Sequence, residues 1–431
     1  MAKNSPLNLR NLSIYQVYLR NHNKTGTFTE LTTDLKRIKD LGFDIVYLLP
    51  VHPVGQKHKK GSLGCNYSIV DYRKISEEHG TMTDFTQFID ATHQHDMKVM
   101  MDVVFNHTSH DSLLLDEHPE WFYYKNGKNN NRVGDWDDII DLDFSHRGLW
   151  DYLIETLEMY AKMGVDGFRC DVAPLIPLEF WIEARKVIAK INPDFIWLSE
   201  SVHKSFIKEI RSMGFEAYSD GEMYQAFDIL YDYDLFDYFI DFLKGEGSLK
   251  AYLDEIRNQE MIYPSNYTKL RNLENHDQER VASYTNDLNL LNNLTAFNFF
   301  TKGAAMIYAG EEAYNTHRPS LFDRDPVNWH DYESKNCDDL IKQMAYLKKD
   351  PIMANGNFDI LDFDDMNIIV MRYENNDKIR YGIFNVSNKV QAIDLNLPQV
   401  SLTNLIDNSP LVLKTTLDVG MKPIVFDIIK Q

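Results

Sequence analysis

The sequence contains few cysteines, with only Cys65, Cys170 and Cys337 among 431 residues. Three thiols cannot form a disulfide framework, and their spacing matches no zinc-binding pattern. The chain also lacks a basic N-terminal segment followed by an apolar run, and its other apolar runs are too short or too charged to span a bilayer. We therefore expect a cytoplasmic protein in a reducing compartment, without a membrane partner.

Positive charge is the second deficit. The chain has 45 Lys and Arg against 65 Asp and Glu, which gives a formal net charge of −20. A surface of that sign repels phosphate backbones, so the composition argues against a nucleic-acid partner and favours a neutral substrate. The apolar share of 44% is that of a globular protein and excludes a disordered or collagen-like chain. The composition predicts no particular oligomeric state.

Short apolar runs alternate with segments of helical period from Leu12 onward. Apolar runs of this kind are typical of strands buried on both faces of a parallel sheet, with helices as the crossovers. Seven or eight such units within residues 1–350 favour a closed (β/α)8 TIM barrel, an α/β fold, over an open sheet. The predicted strands are Leu12–Leu19, Phe43–Pro50, Met97–Val104, Val165–Val172, Phe195–Ser199, Phe215–Tyr218, Leu270–Leu273 and Ala304–Tyr308.

Two of the predicted helices have recognisable N-termini. Thr27 and Glu30 have the spacing of a capping box, in which each side chain bonds to the backbone of the other residue. The segment Thr81–Asp84 starts a second helix. The apolar face of the first helix consists of Phe28, Leu31, Leu35 and Ile38.

Two changes in the pattern divide the chain. Between Phe105 and His146 the helical period disappears and Asn, Gly, Asp and aromatic residues dominate, which predicts a short inserted excursion after the third strand. Beyond Pro351 the apolar period becomes two, with a hairpin signal at Asn375–Asp377. We predict a barrel over residues 1–350, which includes the insertion at 105–146, and a C-terminal antiparallel β domain over residues 351–431.

Polar residues at strand ends are the candidates for chemistry, because TIM-barrel active sites lie at the carboxyl ends of the strands. Arg169 and Asp171 end the fourth predicted strand, and their spacing of two directs both side chains towards the barrel axis. A guanidinium beside Asp171 would lower the pKa of that carboxyl and keep it ionised, as a nucleophile requires. A buried structural ion pair is the alternative interpretation.

The fifth predicted strand ends at Glu200, an unusual residue after an apolar run. Burial there would raise the pKa of Glu200 and keep it protonated, as a general acid requires. Neighbouring barrel strands lie about 4.8 Å apart, so carboxylates at their ends can approach the separation of about 5–5.5 Å found in retaining glycosidases. Asp171 and Glu200 are therefore the predicted catalytic pair.

Two histidines, each preceded by Asn, also lie at strand ends. His107 follows the third strand, and His276 follows the seventh and is itself followed by Asp277. A neutral imidazole can donate to a sugar hydroxyl, and Asp277 would be a third carboxylate in the site. A single histidine in such a place is more often structural, but two at one face of a barrel favour a site. Glu311 and Glu312, after the eighth strand, are interpreted as structural.

These segments together resemble the α-amylase family of glycoside hydrolases, family thirteen, and the likeness covers almost the full chain. Four segments match the signature regions of that family in the same order, and a fifth carries the Tyr that stacks on the sugar at the cleavage point. The matching segments are Asp102–His107, Gly167–Asp171, Glu200, Asn275–Asp277 and, as the fifth, Gly61–Tyr72.

The resemblance implies a role for each matching residue. Asp171 would be the nucleophile, Glu200 the acid/base and Asp277 the stabiliser of the transition state. The residues implied to hold the sugar in subsite −1 are Tyr67, His107, Arg169 and His276. The architecture implied is a catalytic barrel, a short B-type insertion and a β-rich C domain.

The chain departs from the family pattern just after the nucleophile, where many starch-cleaving members carry a Lys-His pair. Here Ala173–Leu175 takes that place, so the contact to leaving-group sugars is missing. The same His commonly gives a backbone oxygen to a structural calcium, together with the Asn equivalent to Asn106. Asn106 marks where a calcium would bind, but without the His we predict no metal and no cofactor.

Three functional hypotheses follow from these residues. The first is a retaining α-glucoside hydrolase that cleaves maltooligosaccharides or α-glucans. The second is a transglycosylase or glucosyl isomerase, of the trehalose synthase kind, with the same three carboxylates and an acceptor sugar in place of water. The third is an inactive binding subunit, which the presence of all three carboxylates disfavours.

Overall fold

The computed structural model describes residues 4–430, and its central feature is a closed barrel of eight parallel strands in chain order. Each strand pairs with its neighbours in sequence, and β8 pairs with β1 to close the sheet. The predicted α/β TIM barrel is confirmed. The barrel strands are β1 (Ser13–Val17), β2 (Ile45–Leu48), β3 (Lys98–Val103), β4 (Gly167–Cys170), β5 (Ile196–Ser199), β6 (Ile229–Tyr231), β7 (Lys269–Arg271) and β8 (Ala304–Tyr308).

The α-helices lie between the strands and cover the barrel. Their apolar faces pack on the outside of the strands, as in the helix at 28–40, whose predicted inner face is fully buried. The α-helices are Leu19–His22, Phe28–Asp40, Met82–Gln94, Leu113–Glu117, Arg147–Lys162, Leu178–Ile188, Lys204–Ser212, Asp220–Met223, Phe236–Lys244, Leu249–Ile262, Leu288–Phe300, Asp338–Lys348 and Ile352–Asn355.

The sixth strand is the one that the sequence pattern placed wrongly. Phe215–Tyr218 follows the helix at 204–212 outside the barrel, and Glu216 within it is exposed. The strand is β6, whose three residues are buried and pair with both β5 and β7. This short apolar run is flanked by Asp228 and Asp232, and the two acids interrupt the apolar pattern by which a buried strand is recognised in the sequence. Those carboxylates are tolerated because arginines on other elements neutralise them.

The two predicted helix caps differ in outcome. Thr81 and Asp84 form a complete capping box, with the Thr81 backbone N–H donating to the Asp84 carboxylate over 2.7 Å. Thr27 accepts the backbone N–H of Glu30 at 3.3 Å, but the Glu30 carboxylate bonds to Thr25. The reciprocal half of the first box is therefore absent, because the preceding turn offers Glu30 a nearer donor.

The segment between β3 and the helix at 147–162 rises over the carboxyl end of the barrel. It contains short paired strands and one helical turn, and two of these strands, His107–Ser109 and Ile139–Asp141, form an antiparallel ladder. Trp121 and Phe122 are buried beneath it. The insertion therefore has a small core of its own that fixes it above β3 and β4.

The residues after 355 form antiparallel sheets. The main sheet has the order β9 (Asn357–Leu361), β10 (Ile368–Glu374), β11 (Lys378–Asn385) and β16 (Ile424–Ile429). The predicted hairpin is the β10–β11 turn, where the Asn375 carbonyl oxygen of the side chain accepts the backbone N–H groups of Asp377 and Lys378. Two further pairs are β12 (Gln391–Ile393) with β15 (Leu417–Val419) and β13 (Val400–Thr403) with β14 (Pro410–Leu413).

This sheet packs on the helix that precedes β8. The Phe300 ring lies against Gly382 of β11, where a Cβ atom would approach it to 2.8 Å. The Asn293 side-chain oxygen accepts the backbone N–H of Asn385 at 2.9 Å. Apolar packing and buried hydrogen bonds thus join the C-terminal sheet to the back of the barrel, away from the strand ends.

Two further observations concern the expectations drawn from composition. Cys65, Cys170 and Cys337 are all free thiols in the structure. Among residues 4–430, no helix has the length and apolar character needed to cross a bilayer.

We predict that Thr81→Ala lowers the free energy of unfolding by about 1 kcal/mol, because it leaves the Asp84 backbone N–H without its cap. The measurement is the denaturant midpoint of the purified protein. The matched control is Thr83→Ala, an exposed residue in the same helical turn, which should change the free energy by less than about 0.5 kcal/mol. Equal midpoints for the two variants would contradict a stabilising role for the box.

Candidate active site

The barrel register brings the two predicted catalytic carboxylates side by side. The last paired residues of β4 and β5 are Cys170 and Ser199, so Asp171 and Glu200 are the next residues of the two strands. The ladder continues past them in backbone hydrogen bonds, from Glu200 N–H to Cys170 O at 3.0 Å and from Asp171 N–H to Val103 O at 3.0 Å. Parallel pairing therefore fixes both side chains at the carboxyl end of the barrel.

A single buried guanidinium holds this pair. Nη1 of Arg169 donates to Oδ1 of Asp171 at 2.8 Å and to Oδ1 of Asp102 at 2.8 Å. Nη2 forms an ion pair with Oε1 of Glu200 at 2.7 Å, but the geometry of this contact is not that of a hydrogen bond. Asp102 and Arg169 are register partners on β3 and β4, and both are fully buried. One cation therefore faces three carboxylates.

The pKa of Asp171 is the reverse of the expectation from sequence. Burial raises the pKa of Asp171 well above its ordinary value, Glu200 raises it further, and Arg169 only partly opposes both. Arg169 lowers the pKa as predicted from the sequence, but the predicted net result, a pKa below the ordinary carboxyl value, is wrong, because burial and the neighbouring carboxylates outweigh the guanidinium. Burial also raises the pKa of Glu200; Arg169 lowers this pKa in part, and Asp277 raises it further. The pair titrates as a unit that retains a proton beyond the usual carboxyl range.

Asp277 lies at the mouth of the site, with 39% of its side chain exposed. Its Oδ2 is 3.0 Å from Nε2 of His276. Burial acts to raise the pKa of Asp277, but His276, Arg169 and Arg318 outweigh it and hold the pKa below its ordinary value. Asp277 is therefore an ionised carboxylate that faces the pocket.

His276 is fixed by three neighbours. The Gln16 amide nitrogen lies 3.2 Å from its Nδ1. Nε2 lies 2.7 Å from the Tyr67 hydroxyl, and the two rings are stacked at 10° with centroids 5.4 Å apart. The Tyr67 hydroxyl donates in turn to Asp102 at 2.9 Å. These contacts connect the end of β7 to the network around Arg169.

His107 stands on the other side of Asp171. Its Nε2 is 3.9 Å from Oδ2 of Asp171, and its ring meets the edge of Trp136 at 5.6 Å. Burial lowers the pKa of His107 to about 4. The imidazole is therefore neutral near pH 7 and can donate to or accept from a hydroxyl group.

The backbone after the predicted nucleophile is strained. Val172 has φ +34°, a left-handed conformation that β-branched residues rarely adopt. This conformation directs its N–H to Oε2 of Glu200, where it donates at 2.7 Å. The following Ala173–Leu175 forms a turn of 3₁₀ helix, and the Ala173 carbonyl accepts the indole N–H of Trp181 at 3.1 Å. Val172, just before the segment that lacks the Lys-His pair, therefore positions Glu200.

Two adjoining cavities open on the carboxylates. The first, of about 300 Å³, contains all of the predicted sugar contacts except the deeply buried Arg169, together with Asp171, Glu200 and Asp277. The second, of about 430 Å³, lies beyond Glu200 towards the ends of β5 and β6 and is lined by aromatic side chains. Trp136, Val172, Glu200 and Asp277 line both cavities. The seven residues predicted from the sequence thus meet at one place.

The sequence analysis missed several residues of this site. Asp102 belongs to the segment Asp102–His107, but its role as the anchor of Arg169 depends on the register between β3 and β4. Lys60 and Phe322 line the first cavity from two loops, and Phe206 lines the second from the helix at 204–212. No local pattern marks such residues, because loop position decides which of them reach the pocket.

A carboxylate close to Asn106, where the family resemblance would place a calcium, is paired with an arginine. Among the residues that the structure describes, no group of three or more His, Cys, Asp or Glu could hold a metal ion. The Asn106 amide contacts the His107 ring at 3.2 Å. The nearby buried carboxylate, Asp141, accepts the Arg132 backbone N–H at 2.8 Å and pairs with its guanidinium at 3.2 Å. Arg132 is therefore the cation at this junction.

Comparison with known proteins places these features in context. The family model for the α-amylase catalytic domain matches residues 16–138 and 116–355, and that for the bacterial α-amylase C-terminal domain matches residues 359–426. A crystal structure of an α-amylase from Lactobacillus plantarum is similar over 98% of this chain and 100% of its own, with 40% identity and a TM-score of 0.94.

Two relatives known from their sequences show the breadth of the family. α-Amylase MalA of Haloarcula japonica is 25% identical over 362 residues, which is 81% of this chain. An α-1,4-glucan:maltose-1-phosphate maltosyltransferase of Myxococcus xanthus is 27% identical over 227 residues, or 47% of this chain. The chain spans 50% of the length of the first relative and 34% of the second.

We predict that excess EDTA changes neither the thermal unfolding midpoint nor the catalytic rate of the protein, since Arg132 already neutralises Asp141. The measurement compares both quantities in EDTA, in calcium chloride and in sodium chloride of equal ionic strength. A midpoint that falls in EDTA and recovers with calcium, but not with sodium, would show that a metal site exists.

Proposed function

The chain belongs to the α-amylase family of glycoside hydrolases, and from that premise we propose that it hydrolyses α-glucosidic bonds of maltooligosaccharides and α-glucans with retention of configuration. The observation that carries this proposal is the pair Asp171 and Glu200 on the guanidinium of Arg169. Two carboxylates that contact the same guanidinium group lie close together. This favours the carboxyl separation of about 5–5.5 Å found in retaining glycosidases over the separation of about 6.5–9.5 Å found in inverting ones.

The proposed reaction has two displacements. Glu200 donates a proton to the glycosidic oxygen while an Asp171 oxygen attacks the anomeric carbon, which breaks the bond to the leaving sugar and forms a glycosyl-enzyme ester. Glu200, now a carboxylate, takes a proton from water, and the water oxygen displaces Asp171. The pKa values of both carboxyls are raised, and the proposal places the proton of the pair on Glu200, so that Asp171 attacks as the carboxylate.

The remaining residues hold the sugar at the cleavage point. In the proposal Tyr67 stacks on the ring, and His107 and His276 bond its hydroxyls from opposite sides of Asp171. Asp277 accepts two ring hydroxyls, and this ionised carboxylate strengthens its hydrogen bonds as positive charge develops on the ring. Arg169 does not line the cavity and instead holds Asp171 and Glu200 in position through its ion pairs with them. The chemistry requires no cofactor.

Transfer to a sugar acceptor is the second candidate. The cavity beyond Glu200 is lined by Phe206 and by the stacked pair His203 and Tyr233, whose rings lie 5.0 Å apart. Aromatic faces of this kind bind sugar rings and would hold an acceptor where water must otherwise enter. The similarity to a maltosyltransferase over part of the chain also favours this candidate.

We predict that the protein releases α-configured products from maltotriose and maltoheptaose, and that Glu200→Gln and Asp171→Asn each lower kcat by about 10²–10⁴-fold. The measurement resolves the products and their anomers over time. Glu246→Gln, an exposed control far from the pocket, should retain full activity. Products longer than the substrate would support transfer, and β-configured first products would refute the retaining mechanism.

We also predict the origin of the alkaline limb of the kcat/KM profile against pH. Since burial raises the pKa of Glu200, its proton persists above the usual carboxyl range, and activity falls when that proton is lost. His107, with a pKa of about 4, cannot be the source of this limb. His107→Asn should therefore lower kcat/KM but leave the alkaline limb in place. A limb that disappears in this variant would assign it to His107.

A further inference from the structure

The two cavities differ in what lies at their outer ends. Since the proposed acid Glu200 protonates the glycosidic oxygen, the leaving sugar occupies the cavity beyond Glu200, and the donor sugar occupies the cavity with Tyr67 and His107. The donor cavity ends at Lys60, Leu321 and Phe322, which come from the loops after β2 and β8. We call these three residues the donor wall.

The loops that carry the donor wall are fastened to each other. The Leu63 N–H donates to Phe322 O at 3.0 Å, and the Ser62 N–H donates to the Asp323 carboxylate at 2.8 Å. The fully buried Arg20 joins the loops from below, donating to Gly64 O at 2.8 Å and to Leu321 O at 3.1 Å. Separation of the two loops would leave the buried guanidinium of Arg20 without an acceptor, so the wall is a fixed part of the pocket.

A charged group stands in the wall. Nζ of Lys60 lies 2.9 Å from Asp138 and 2.8 Å from Asp137, both on the insertion after β3. Asp138 is 6% exposed and lines the donor cavity with Lys60. The pair therefore joins the β2 loop to the insertion and also presents an ammonium and a carboxylate to the far end of the donor sugar. Such groups hydrogen-bond sugar hydroxyls.

We infer that the donor wall, through Lys60 held by Asp138, binds the non-reducing end of the substrate and stops a longer chain from passing. The enzyme then removes short units from chain ends and does not cut within the polymer. The leaving side, with its larger and open aromatic cavity, accepts chains of any length. This inference rests on the proposed function, since it names the substrate end that the same site recognises.

The test uses maltoheptaose labelled at its reducing end, and the same molecule carrying a 4,6-O-acetal on its non-reducing glucose. Wild-type protein should cleave the free form at least about tenfold faster than the blocked form, because the acetal removes the hydroxyls that the wall bonds. The first labelled products should be shortened by one or two glucose units. Products are resolved by chromatography at early times.

Variants of the wall give the second arm of the experiment. Lys60→Met keeps the aliphatic stem but removes the charge, and Phe322→Ala shortens the wall itself, so each should bring the two rates towards equality. Lys57→Ala, an exposed lysine of the same loop that does not line the cavity, is the control and should keep the wild-type ratio.

The outcomes separate this inference from the function on which it rests. Equal rates for the free and blocked forms, or first products of many lengths, would overturn the role of the wall while hydrolysis itself stands. An unchanged ratio in both wall variants would do the same. Failure of the wild-type protein to cleave either form would remove the proposed function, and the inference with it.

Discussion

The ion-pair cluster around Arg169 is the interaction on which the rest of the site depends. Three carboxylates, Asp102, Asp171 and Glu200, are buried around one guanidinium. An unpaired charge in such a place costs about 3–5 kcal/mol, so the cation is what allows these acids to lie below the surface. Burial raises the pKa of Asp171 and of Glu200, and the one guanidinium that the carboxylates share only partly opposes this. That excess of acid over base suits a site that must attack and protonate in the same step.

The barrel and its loops divide the work. Strand pairing fixes the positions of Arg169, Asp171 and Glu200 relative to one another, and the closed sheet prevents them from separating. Selection of the substrate is left to the loops, which approach from β2, β3 and β8 and are tied together by Arg20 and Lys60. The chemistry is thus built on rigid strands, and the choice of chain end on segments that can change without disturbing it.

Several features of the fold could be read along the chain because they depend on neighbours in sequence. Apolar runs marked seven of the eight barrel strands, and Thr81 marked a helix start, since local pattern and local hydrogen bonds decide these. The sixth strand was misplaced because its flanking acids, Asp228 and Asp232, are compensated by arginines far away in the chain. The pKa of Asp171 was misjudged for a related reason: the sequence showed one adjacent cation, but the fold buries the carboxyl and places two other carboxylates beside it.

The sequence by itself determined the barrel, the C-terminal β domain and the set of residues that converge at the strand ends, because strand period and strand order carry that information. Only the tertiary structure decided how many charges share Arg169, that Asp141 is neutralised by Arg132, and that Lys60 and Phe322 end the donor cavity. Each of these depends on contacts between segments distant in the chain, where burial and loop position, and not residue type, set the electrostatics and the shape of the pocket.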